Sequence, residues 1–220
     1  MTTALRPGRL VPAGLVVLGL IPALGGGLRL AQLTSGAEVT PANERFFAAP
    51  LPVTLHIVGA TVFCLVGAFQ FAPRLRGRRP RWHRLAGRVL VPCGLTAALT
   101  GLWMSLFYQR PPGDGDLLTA FRLVFGTAMA VSIVLGFLAV RRRDFARHRA
   151  WMIRGYAIGI GAGTQAFTLM PLLLTGNPHD ELGRALLMAA GWLLNLAVAE
   201  WAVRRPVTVR VPTPQPLEAR

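Results

Sequence analysis

Two of the four histidines carry the strongest chemical suggestion in this chain. His83 and His148 each follow an arginine-rich segment, and each opens a long apolar run. Gly87, Gly94 and Gly101 follow His83 at four, eleven and eighteen residues. At 100° per residue they lie within about 40° of the His83 direction on a helix. Gly155, Gly159 and Gly163 follow His148 and lie within about 60° of its direction. A histidine at the head of a glycine strip, on each of two helices, suits a flat macrocycle held edge-on. The imidazoles would be axial ligands to iron, and the glycines would let the backbone approach the ring. Arg84, Arg88, Arg149 and Arg154 stand where bidentate hydrogen bonds to propionates, or contacts to a quinone, would form. The pattern points to a b-type haem with His83 and His148 as ligands to its iron. Glycines at this spacing equally make the ridge by which membrane helices pack.

His56 opens another apolar run from the opposite side, above Gly59, Gly67 and Gln70. With Arg122 these residues make a second polar site. A quinone oxygen, a proton-transfer step and a backbone carbonyl are the candidate partners of His56. Arg154 and Glu200 fall at the same depth of their runs and are expected to form a structural ion pair. Arg29 and Arg122 are expected to extend toward headgroups. Cys64 and Cys93 sit in apolar runs with no CxxC spacing and read as buried filler. His179, beside Asp180 and Glu181 in a loop, reads as solvated.

The elements that must position these groups are membrane helices. Of the 220 residues 53% are hydrophobic and 15% charged, and mean hydropathy is +0.47. A soluble domain carries about 25% charged residues, and disorder needs low hydrophobicity. Six runs are long enough to cross a bilayer: 10–33, 51–73, 86–108, 118–140, 150–175 and 184–203. The expectation is an all-α integral membrane protein, a six-helix bundle over 10–203 with core spans 51–175. Residues 1–9 form a short N-terminus, and the Pro-rich tail 204–220 is expected to be disordered. The first run is longer than a signal-peptide core and reads as a span. Pro171 is the one expected kink, and no inverted repeat is visible.

All 24 basic residues are arginine, against nine acids, for a net charge of +15. Such a charge usually suggests nucleic acid. Here most arginines fall on one face: 74–84, 141–149 and the two termini. Asp114, Asp116, Asp180, Glu181, Glu38 and Glu44 fall on the other. The charge is therefore a topology signal, with both termini cytoplasmic, anionic lipids at the inner face and no nucleic-acid partner. Trp82, Trp151 and Trp201 mark the inner boundary and Tyr108 the outer one.

The segments Leu55–Arg88 and His148–Gly159 resemble a known family. The marks are LHxxG in the second span, GxxQFxPxLR ending it, HRxxGR opening the third, HRxWMIRxYA opening the fifth, and NLxxAEW from Asn195 to Trp201. Together they resemble domain of unknown function 2306, a family of predicted bacterial membrane proteins, over about residues 51–203. That resemblance implies a multi-pass protein of the bacterial cytoplasmic membrane and no activity. A weaker likeness is to the cytochrome b561 four-helix haem core. It implies that His83 and His148 pair across one haem, while His56 lacks a partner because Arg122 stands in its place.

Two functions of different class follow. One is transmembrane electron transfer through a b-type haem near the cytoplasmic face, with a quinone or redox partner. The other is a haem-free membrane transporter or small-molecule binding protein, or a partner subunit packing through its glycine ridges. Phosphate-loop, GxSxG, HExxH and GxGxxG signatures are absent, and no catalytic residue is assigned.

Overall fold

The computed structural model describes residues 7–72, 79–174 and 180–205. It is an all-α bundle, with no strand among the described residues. Helix α1 spans Pro7–Thr34, α2 Glu44–Ala48, α3 Pro50–Ala68, α4 Pro80–Phe107 and α5 Asp116–Arg141. Helix α6 spans Phe145–Gly159, α7 Gly161–Thr168, α8 Met170–Leu174 and α9 Glu181–Arg204. Among the described residues five helices are individually long and apolar enough to span a membrane, and the bent series α6–α8, taken as one span, makes up to six. The expected tail and the first residues lie largely outside the described residues, as do His179 and Arg74, Arg76 and Arg78 of the α3–α4 connection.

Local chemistry sets the boundaries. Pro50 and Pro80 occupy the first turns of α3 and α4, where the missing N–H costs nothing. Asp144 caps α6 by accepting from the Arg147 N–H at 3.0 Å, and Asp180 caps α9 by accepting from Gly183 at 2.9 Å. Arg143 takes a left-handed φ of 59° to turn the chain from α5 into α6.

Helix α3 packs along α4, α5 along α6, and α9 against α5, α6 and α7, while α1 lies across α3 and α7. The α3–α4 approach is close: a Cβ on Gly59 would stand 2.8 Å from the Cys93 carbonyl oxygen. Phe63, Leu118 and Ile133 are fully buried. Leu24, Leu28, Val58, Leu99, Val124 and Val198 point outward, as expected of a bundle whose outer solvent is lipid.

The fifth span departs from the single kink expected at Pro171. It breaks at Ile160, and its two halves are bent by 44°. The run GIGAG explains the break. Glycine costs about 1 kcal/mol per helical position relative to alanine, and two of these glycines admit neighbours that alanine would exclude. A Cβ on Gly161 would lie 2.5 Å from the Trp192 ring, and one on Gly163 would strike the Leu18 carbonyl of α1. Side chains take up the carbonyls at the break. Asn195 Nδ2 donates to Ala157 O at 3.1 Å, and the Cys64 thiol donates to Gly159 O at 3.4 Å. Irregular backbone inside a membrane is tolerated where the protein satisfies it or it borders a cavity, and this break does both.

Candidate functional site

The chain enters α1 and leaves α9 at one end of the bundle. At the opposite, distal end a cavity of about 540 Å³ opens between α1, α3, α4, α5, α7 and α9. This lies within the range of small-molecule sites, roughly 300–1,000 Å³. Its mouth is arginine-rich: Arg45, Arg110, Arg122 and Arg184 line it with Asp114. Its walls and floor run inward past His56 and Ile57 to Phe63, Cys64, Gly159 and Trp192. The lining runs from His56 to Cys64 on α3, about 12 Å at 1.5 Å per residue, and from Ala97 to Tyr108 on α4, about 16 Å.

Asp114 organises the mouth. Its carboxylate is 1% exposed, with Oδ2 2.7 Å from Arg122 Nη1 and Oδ1 accepting from Arg184 Nε at 2.7 Å. The α4–α5 loop reaches it through Gly113, whose φ of 84° favours glycine. Arg122 therefore turns onto a loop carboxylate rather than extending to headgroups. Arg110 pairs with exposed Asp116. Arg45 has no carboxylate partner among the described residues. Its guanidinium lies 4.5 Å from the Phe46 ring centroid, and Arg29 lies 4.5 Å from the same ring. Burial lowers the Arg45 pKa, and repulsion from Arg29 and Arg122 adds to that effect against the opposing pull of Asp114. The ring edge of Tyr108 meets Phe46 at 5.5 Å, and its hydroxyl donates to Ala49 O at 2.5 Å, which fixes α2 over the mouth.

Below the arginines, His56 Nδ1 lies 2.8 Å from Ala97 O. That bond requires the proton on Nδ1 in a neutral ring, so a backbone carbonyl is the partner of His56. Nε2 is left as an acceptor with no protein hydrogen bond among the described residues. Gln165 is 5% exposed and donates to Met188 O at 3.0 Å.

The structure divides the second polar site. His56 and Arg122 share the cavity, but Gln70 lies in the short 3-10 turn Phe69–Phe71, at the far end of α3. Asp114, Arg45 and Arg184 join the site only in the fold, since none stands out by spacing. The signal that would have found Asp114 is GDGD, an acid between glycines in a short loop beside two spans with arginines near their distal ends.

At the other end His148 Nδ1 lies 2.8 Å from Gly136 O. Arg149 Nη2 donates to Ala202 O at 2.8 Å, and Arg84 and Arg88 are exposed. Arg154 meets Glu200 in a bidentate pair, at 2.5 and 3.0 Å. The glycine strips are filled by protein. Cβ atoms on Gly94 and Gly159 would lie 2.6 and 2.8 Å from opposite edges of the Phe63 ring, and one on Gly155 would lie 3.1 Å from Ile133. Only Gly87 of these positions has open space within 4 Å. A macrocycle between the strips would have to displace Phe63 and Ile133, both in the core. The residues here do not fit a haem in that place, and the likeness to the cytochrome b561 core finds no support in the arrangement.

No curated protein and no solved structure matches the chain. A family profile does match, over residues 53–203, which takes in His56, Asp114, Arg122, Arg184 and the helix break. The chain accordingly belongs to DUF2306, a family described as predicted membrane proteins, and is a multi-pass membrane protein.

Proposed function

We propose that this chain is a haem-free small-molecule binding protein of the transporter type, taking its ligand through the arginine-lined mouth. The observation that carries the reading is the cavity, which runs from that mouth to the break in the fifth span. Transporters commonly place their sites at discontinuous helices near mid-membrane. The arginine asymmetry supports a mouth on the outer face, with the opposite end held against anionic inner-leaflet lipids of a bacterial cytoplasmic membrane.

Thr61 lines the cavity one residue beyond Ala60 and is half-buried, and this supplies the test. In a Cys93→Ser background, a small water-soluble methanethiosulfonate is expected to label Thr61→Cys from the mouth side of sealed vesicles, while the buried Cys64 stays unreactive. Ala60→Trp should plug the path and protect the introduced thiol. An introduced thiol inert from both sides of the folded protein would overturn the reading. Electron transfer through a haem on His83 and His148 is the competing function. A Soret band lost in both His83→Ala and His148→Ala would establish it at our expense. A colourless folded preparation from haem-replete cells would remove it.

A further inference from the structure

We infer that the cavity takes a single-chain amphiphile with an anionic head, the head lying among Arg45, Arg122 and Arg184 and the chain reaching toward Phe63 and Trp192. The inference rests on the binding function proposed above and names the chemistry of its ligand.

The charges that line the cavity favour an anion. Three arginines, Arg45, Arg122 and Arg184, line it with a single carboxylate, Asp114, and Arg110 is matched by Asp116. The lining therefore keeps an excess of two positive charges, with Glu44 beside Arg45 and Glu181 beside Gly115 just outside it. Arginine forks match carboxylate and phosphate oxygens in bidentate fashion. The excess lies partly out of water, where unbalanced charge is costly. Arg45 packs against the Phe46 ring, which holds its guanidinium at the opening.

The shape then selects the rest of the ligand. A methylene chain making contacts at about 4 Å fills roughly 20–25 Å³ per methylene, so about 540 Å³ holds one chain with its head and is too small for a membrane lipid with two full-length chains. Below His56 the lining is mainly apolar: Ile57, Phe63, Met129, Ile158 and Trp192. A small inorganic anion would leave that length to water with few polar partners, which apolar cavities disfavour. His56 Nε2, the Thr61 and Ser105 hydroxyls and the Gln165 side chain are polar features beneath the mouth, so the ligand can carry a local hydrogen-bonding group there. A fatty carboxylate and an alkyl phosphate share the required chemistry.

Protection of Thr61→Cys from the methanethiosulfonate reports occupancy directly. The protein is used whole, Thr61→Cys with Cys93→Ser, in nanodiscs of zwitterionic lipid. Dodecanoate and dodecyl phosphate are expected to protect at concentrations at least tenfold below those of dodecyltrimethylammonium or dodecanol. Arg45→Gln, at a residue with no carboxylate to strand, should erase most of that tenfold preference. Equal protection by the cationic or neutral chain overturns the anionic head. Equal protection by inorganic phosphate overturns the chain. Protection by phosphatidic acid in the disc, without protection by the single-chain probes, overturns the single chain and points to a membrane lipid. In these three outcomes the cavity remains a binding site. Thr61→Cys that is unlabelled without any probe removes the underlying function instead.

Discussion

Replacing Asp114 with asparagine keeps the shape of the side chain and removes the charge that two arginines share. Breaking a buried pair by neutralising one partner costs roughly 3–5 kcal/mol. Arg122 and Arg184 keep 27% and 29% of their side chains exposed, so solvent relieves part of that and about 2–3 kcal/mol remains. In a chain of this size each kcal/mol moves Tm by roughly 2–4 °C. The variant should therefore melt about 4–12 °C below the parent by tryptophan fluorescence in nanodiscs. Asp116→Asn, at a carboxylate 92% exposed, serves as the control and should move Tm by no more than about 2 °C, since exposed pairs contribute little. The two variants should also differ in their response to ligand. Asp114→Asn raises the excess charge at the mouth, so one fixed saturating concentration of dodecanoate should recover more of its Tm deficit than it adds to the parent. Each tenfold tightening of Kd adds about 1.4 kcal/mol to that recovery. If Asp114→Asn melts within 1–2 °C of the parent, or falls no further than Asp116→Asn, the carboxylate does not hold the mouth together and the charge argument fails.

Three further outcomes follow from the packing. Gly94→Ala, which drives a methyl against Phe63 and Ile133, should cost about 1–3 kcal/mol, while Gly87→Ala, with open space around it, should be neutral or stabilising by up to about 1 kcal/mol in the same thermal assay. Asn195→Ala withdraws the donor from Ala157 O at the helix break and should destabilise by about 1–3 kcal/mol, with faster amide exchange localised to residues 157–163. A double-mutant cycle on Arg154→Gln and Glu200→Gln should give a coupling of about 1 kcal/mol that shrinks with added salt, because the pair is partly exposed.

The spans were legible because a bilayer demands a run of about 20 apolar residues wherever the chain crosses. No comparable signal exists in a soluble core. Depth along a helix was legible too, which is why Arg154 and Glu200 could be matched before any neighbour was known. What periodicity cannot say is who stands opposite. The angular argument for Gly94 and Gly159 correctly put each on a strip, yet the occupant of the gap is Phe63, from a helix the argument did not involve. Similarly, GIGAG was visible but gave no kink, because glycines in an apolar run usually mean packing. Only the arrival of Trp192 and α1 at those positions makes them a break. Asp114 was hidden for a different reason. A loop acid is ordinarily solvated, and nothing local records that this loop folds back over two arginines from separate spans.

The family match begins at residue 53, so the boundary of the shared pattern runs through the wall of the cavity. Gly19, Pro22 and Ala23 of α1 and Arg45 and Phe46 of α2 line it from outside that boundary. His56, Asp114, Arg122 and Arg184 line it from inside. Residues 53–203 alone would form a trough open along one flank to the bilayer, and α1 is the stave that closes it. The wall outside the shared pattern is therefore a helix that carries Pro12 and Pro22 and packs chiefly on α3 and α7, together with Arg45 of the mouth.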